Sequence, residues 1–164
     1  MKIESIASPR LIIRSFVKED AYWAYQIWND PEMGEYLPDE SKEGVDLAYI
    51  KELEELENDP DCTYLIPISK ETKKRVGTCS FLLTDGGHTY DIACCVHKSP
   101  WNKGYATEID RALISYAREK GARKVSIIVN QDNMASRRVA EKCAGKIVSE
   151  DTFIKKGSRE VKDL

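Results

Sequence analysis

Asp91, Ile92, Ala93, Cys94, Cys95, Val96 and His97, followed beyond Pro100 by Trp101, Asn102, Lys103, Gly104, Tyr105 and Ala106, decide how this chain folds. The run from Asp91 to His97 is small or β-favouring and apolar enough for a buried strand, and Pro100 stops it. From Ala106 to Lys120 the pattern turns helical, with Ala106, Ile109, Leu113 and Ala117 along one face, Tyr116 beside them and Gly121 at C′. A strand that passes through a tight turn into a helix aims unpaired N–H groups and the positive end of the helix dipole at one point, which suits an anion. Gly104 lets such a group approach the backbone, Asn102 tolerates a left-handed turn, Lys103 adds a cation, and small Ala106 keeps the helix start open. Taken alone, the same residues also suit close packing of helix on strand.

Working outward, Lys124 to Val129 reads as a buried strand reached through that helix, so it should lie parallel to the strand Asp91 to His97. Upstream, Thr63 to Ser69 and Val76 to Thr84 are β-like runs joined by the polar stretch Lys70 to Arg75. Asp85, Gly86 and Gly87 then turn into a strand from His88. Arg10 to Ser15 is a first strand. Lys18 to Asn29 is a helix with Ala21, Tyr22, Ala24, Tyr25 and Trp28 available for its apolar face. The connection from Glu32 to Asp39 holds Met33, Tyr36 and Leu37, either a lid over a site or core anchors.

A second helix runs from a cap at Ser41 to about Glu57, with Val45, Ala48, Tyr49, Leu53 and Leu56 inward. Its acidic residues, among them Glu43, Asp46, Glu52 and Glu54, suit a solvated face or attraction of a cationic substrate. Asn133 to Cys143 is helical, with Ala135, Val139, Ala140 and Cys143 inward. Lys146 to Phe153 and Arg159 to Leu164 are strands around a turn at Lys155 to Ser158.

The length of 164 residues suits one domain, 1–164, able to bury a core without disulfides or a metal. A net charge of −3 without basic clusters argues against a nucleic-acid partner. No apolar run approaches the roughly 20 residues that cross a bilayer, and Met1 to Ser5 is no signal peptide, so the expectation is a cytoplasmic protein without a membrane partner. Cys62, Cys79, Cys94, Cys95 and Cys143 are odd in number and read as reduced core residues. Adjacent Cys94 and Cys95 point to opposite faces of a strand, so no metal site is expected.

The stretch Trp101 to Glu108 resembles the acyl-CoA pyrophosphate loop of GNAT-superfamily N-acetyltransferases, and Asn133, Ser136, Val139, Glu141 and Lys142 resemble that family's later Asn-x-x-Ser helix. Ser8 to Arg14 is similar to the start of the ribosomal-protein N-terminal acetyltransferase branch, where Trp commonly stands in place of Trp101. The resemblance implies an α+β fold in the broad α/β class: a mixed, mostly antiparallel sheet flanked by helices, with a wedge between its fourth and fifth strands where acetyl-CoA lies as cosubstrate. It places pyrophosphate contacts on Asn102, Lys103, Gly104, Tyr105, Ala106 and Thr107, with Trp101 beside them. Pantetheine contacts fall on Cys94 and Val96, and Asn133 and Ser136 flank the pantetheine and adenosine diphosphate. Asn102 stands where the family often has Gly, and Val139 and Ala140 stand where many members carry a tyrosine acid.

The implied reaction is direct attack of a neutral primary amine on the thioester, with a backbone N–H between Cys94 and Val96 stabilising the oxyanion. His97, Glu35 and Asp91 are candidate proton acceptors, while Tyr36 and Tyr90 are candidate donors. A covalent route through Cys94 or Cys95 lacks a His and acid at motif spacing. The alternative class is a non-catalytic acyl-CoA-binding module of the same fold. The acceptor, a protein N-terminus or a small amine, is left open, and the sheet edge at Arg159 to Leu164 offers a homodimer contact.

Overall fold

Alternating apolar residues place six strands in one sheet: β1 (Ile6–Ala7), β2 (Leu11–Ser15), β3 (Cys62–Ser69), β4 (Gly77–Thr84), β5 (Thr89–Val96) and β6 (Lys124–Ile127), side by side in that order. The computed structural model describes residues 2–28, 47–97, 104–127, 134–143, 152–154 and 161–163. Neighbouring strands are antiparallel from β1 to β5. β5 and β6 are parallel, with Thr89 opposite Lys124 and Ile92 opposite Ile127, as a helical crossover requires. That crossover is α3 (Tyr105–Glu119), and Gly121 (φ 87°) follows its C-terminus in the left-handed conformation that the sequence suggests.

Helices cover both faces of the sheet. On one, Leu11, Ile13, Leu65, Phe81, Tyr90 and Ile92 pack with Ile109, Leu113 and Ala117 of α3. On the other, Phe16 and Ile66 pack with Ala21, Ala24 and Tyr25 of α1 (Ala21–Trp28) and with Ile50 and Leu53 of α2 (Leu47–Glu54). Each fully buried Leu, Ile or Phe contributes about 1.5–3 kcal/mol of apolar transfer energy, so the two layers hold the sheet between them. α4 (Met134–Lys142) packs beside α3. β7 (Thr152–Ile154) and β8 (Val161–Asp163) form a separate antiparallel pair.

This is the mixed, mostly antiparallel α+β sheet that the sequence predicts. Because the short β1 adds a strand at the edge, the expected fourth and fifth strands are β5 and β6.

Three helix faces differ in detail. Tyr22 is half exposed and Ile27 is buried in its stead, because nearly every residue of α1 is apolar and periodicity alone cannot orient it. Ala48 and Ala135 face solvent, and Ile50 takes the inward position in α2. The first helix opens with a 3-10 turn, Lys18–Asp20, and the second ends in another, Glu55–Asn58. The cap at Ser41 and the connection 32–39 lie outside the described residues.

Candidate active site

The N-terminus of α3 stands beyond the C-terminal end of β5, where the sequence places the phosphate turn. Gly104 is the residue before the helix and has φ 76°, ψ 14°, a conformation that glycine adopts without steric cost. The first intrahelical bond runs from Glu108 N–H to the Gly104 carbonyl at 3.1 Å. The N–H groups of Tyr105, Ala106 and Thr107 therefore have no partner within the helix and open toward its end, where an anion gains from them and from the dipole.

The start of α3 is held from across the molecule. Glu108 accepts hydrogen bonds from Ser8 Oγ, from Arg10 N–H at 2.8 Å and from Arg10 Nε at 2.6 Å. The Arg10 guanidinium also lies 4.4 Å from the Tyr105 ring centroid, within cation–π range. Burial raises the Glu108 carboxyl, but the bonds from Ser8 and Arg10 outweigh it and hold the group below its ordinary value. An ionised acid in the first turns of a helix would repel an anion at its N-terminus, and here Arg10 balances it. A groove of about 960 Å³ runs from Gly104 and Thr107 along α3 to Lys120, with the segment 2–10 as its other wall.

Backbone direction along β5 follows from one bond. His97 N–H donates to the Val76 carbonyl at 2.8 Å, so His97 and, by alternation, Cys95 and Ala93 turn their backbone groups toward β4. Cys94 and Val96 then turn theirs toward β6, whose described part ends opposite Ile92. These are the two residues to which the resemblance assigns pantetheine contacts. A close approach of β4 supports the arrangement: a β-carbon on Gly77 would lie 2.5 Å from the Cys95 carbonyl oxygen.

The far face of β5 carries the other candidates. His97 stacks on Trp23 of α1, ring centroids 6.0 Å apart. Arg75 lies 5.8 Å from the same indole and donates from Nε to buried Asp20 at 2.8 Å. Arg14 grips the same carboxylate with two bonds, at 2.7 and 2.9 Å. Trp28 Nε1 donates to Thr78 Oγ1 at 3.1 Å, fixing the end of α1 over β4. An aromatic and cationic framework therefore fixes the imidazole, on the face opposite α3.

Asp91 accepts a bond from Ser126 Oγ inside the paired part of β5 and β6. Tyr90 packs against Phe81 and Tyr116 in an aromatic cluster, a core role. Desolvation pushes the Cys94 thiol well up and that of Cys95 up to about 12, which leaves almost no thiolate for a covalent route. Ser136 sits half-buried on α4, whose C-terminal end is tied to α3 by Arg111 Nη2 donating to the Lys142 carbonyl at 3.3 Å. Glu35, Tyr36, Trp101, Asn102, Lys103 and Asn133 lie outside the described residues. Among the described residues no group of His, Cys, Asp and Glu has the spacing to hold a metal.

The residues present fit an acyl-CoA: a glycine cradle that a β-carbon could adopt only with strain, helix N–H groups without intrahelical partners, and a strand presenting peptide groups sideways. Sequence reading missed the Ser8–Arg10–Glu108 clamp, Gly77 and Asp110. The last is a polar residue on the buried stripe of α3, a signal present in the sequence.

A sequence profile of the family described as Acetyltransferase (GNAT) domain matches residues 10–146. A Bacillus licheniformis protein named uncharacterized N-acetyltransferase p20 is 30% identical over 117 residues, a match that spans 70% of this chain and 66% of that protein. Among solved structures, a GNAT-family acetyltransferase from Bacillus anthracis superposes with a TM-score of 0.83 at 23% identity, covering 98% of this chain and 94% of its own. The spermidine N-acetyltransferase from Vibrio cholerae in complex with CoA and spermine gives 0.73 at 18% identity, covering 94% and 93%. At these identities the two structural likenesses speak for the fold.

Proposed function

The chain belongs to the GNAT acetyltransferases, a family of acetyl-CoA-dependent acyltransferases, and on that premise we propose that it moves an acetyl group from acetyl-CoA to a primary amine by direct attack of the amine on the thioester. The observation that carries this reading is the pairing of Gly104, at φ 76° before α3, with the sideways backbone groups of Cys94 and Val96 on β5. In it, the N–H groups of Tyr105, Ala106 and Thr107 hold the pyrophosphate with Trp101, Asn102 and Lys103 beside them. Cys94 and Val96 pair with the pantetheine amides as a strand pairs with a peptide, and Asn133 and Ser136 flank the nucleotide side.

As the C–N bond forms, a β5 backbone N–H donates to the developing oxyanion, the C–S bond breaks and coenzyme A leaves. His97 or Glu35 takes the proton of the amine, and Tyr36 returns one to the thiolate. The proposal covers one acetyltransferase domain, residues 1–164, acting in the cytoplasm.

The finer branch, acetylation of a protein N-terminus as by ribosomal-protein acetyltransferases, is supported by Ser8 to Arg14. A polyamine acceptor is supported by the acids of α2 and by the likeness to an enzyme whose structure holds spermine. Pairing of two copies through the β8 edge belongs to the same proposal.

The test is release of coenzyme A from acetyl-CoA against a panel of N-terminal peptides, polyamines and simple amines. Turnover with one class names the acceptor. Binding of acetyl-CoA without turnover across the panel would instead mark a non-catalytic acyl-CoA module.

A further inference from the structure

α3 carries a carboxyl where its buried stripe calls for an apolar side chain. Asp110 is 5% exposed, stands among Ile109, Leu113 and Ala117, and its Oδ1 has no hydrogen-bond partner among the described residues. Three described thiols lie within electrostatic reach of it: Cys79 on β4, Cys94 on β5 and Cys143 after α4. The nearby cation, Arg111, is turned to the Lys142 carbonyl and influences Cys143, and no cation among the described residues offsets the charge on Asp110. Cys79 and Cys94 are direct cross-strand partners, so both thiols lie under the same part of the helix. Desolvation moves the Asp110 carboxyl up to about 7, since burial in this seam disfavours the charged form.

We infer that Asp110 makes the seating of the phosphate-turn helix depend on a proton: with the carboxyl neutral α3 lies flat on β4 and β5, and with the carboxylate formed water must enter that seam. The acyl-CoA part of this inference rests on the reading above. Because α3 brings Gly104 to the end of β5, a loosened seam holds acyl-CoA less tightly, and binding takes up a fraction of a proton near neutrality. The sign follows from linkage. The folded state holds the proton to a higher pH than the unfolded chain, so stability falls as pH rises from about 4 to about 7 and is level above that.

The test compares the full chain with Asp110→Asn and Asp110→Leu by thermal melts from pH 5 to 8.5, and by acetyl-CoA calorimetry at both ends of that range in two buffers of different ionisation heat. The expected result is that the unchanged protein loses roughly 5 °C more than Asp110→Asn on going to pH 8.5. Asp110→Leu melts highest at the alkaline end. Acetyl-CoA affinity falls on the order of tenfold, the effect of one unit of pKa difference between free and bound states, with proton uptake that both variants lack. Equal pH slopes in the unchanged protein and Asp110→Asn, or a carboxyl carbon-13 titration of Asp110 centred below pH 5, would overturn it. If acetyl-CoA binds at no pH the acyl-CoA reading fails, while the melts and the carbon-13 titration still decide the proton switch.

Discussion

Arg10 Nε lies 2.6 Å from Glu108 Oε1, tying the residue before β2 to the first turns of α3. Glu108 keeps only 12% of its side-chain exposure and sits one turn from the N–H groups proposed to receive phosphate, so on that proposal its charge matters to the ligand. Arg10→Met leaves that charge unmatched. Acetyl-CoA affinity is expected to fall about tenfold, more at low than at high salt, and the Arg10→Met/Glu108→Gln double variant is expected to regain most of it. Calorimetric dissociation constants for the four proteins of the cycle measure this. Additive losses would show that the pair is structural only.

Gly77 admits no side chain without moving β4 from β5. A β-carbon there meets the Cys95 carbonyl oxygen at 2.5 Å and Val96 Cα at 3.0 Å, both backbone atoms that cannot rotate away. Gly77→Ala is therefore expected to cost about 3 kcal/mol or more in urea unfolding and to displace the strand segment assigned to pantetheine. A variant as stable as the parent would mean that the strands part there at little cost.

Asp20 is fully buried between Arg14 and Arg75 and also accepts the Val17 N–H at 2.9 Å. Removing it leaves two guanidinium groups facing each other, so Asp20→Ala is expected to lose about 3–5 kcal/mol in urea unfolding and to release the Trp23–His97 stack. Burial raises the carboxyl, yet the bonds from Arg14, Val17 and Arg75 carry it below its ordinary value. Its contribution is thus complete above about pH 4 and disappears as pH falls through the lower folded-state value. Asp20→Asn should flatten the acid limb of a melting-temperature curve, and an unchanged limb would contradict this account.

Substitution of His97 is a test that separates binding from chemistry. The residue lies on the α1 face of the sheet against Trp23, away from α3, so His97→Asn is expected to leave acetyl-CoA affinity unchanged. If the imidazole takes the amine proton, turnover falls on the order of 100-fold while acetyl-CoA affinity holds. An intact rate would move that role to Glu35.

Much of this architecture was legible because its causes are local. The strand that ends at Val96 and the helix that Gly121 closes follow from residue size and helical periodicity, and parallel pairing of β5 with β6 follows from the crossover they imply. β1 was not legible, since Ile6–Ala7 is too short to show alternation. The clamp on Glu108 and the ion cluster on Asp20 join residues 98 and 55 positions apart, and no local rule joins such charges. Gly77 is required by a neighbouring strand rather than by its own φ, so its own segment carries no sign of the need. For the candidate site, the start of α3 and the β5 face were legible in the sequence, and the three-dimensional structure adds the clamp on Glu108 and the close approach at Gly77.

Calorimetric titration of acetyl-CoA into the unchanged protein and into Gly104→Glu tests the central claim most directly, because the variant puts bulk and negative charge where the pyrophosphate should sit. The account predicts micromolar binding by the parent and its loss in the variant, with matching circular dichroism spectra. Equal binding by both proteins, or none by the parent, would contradict it.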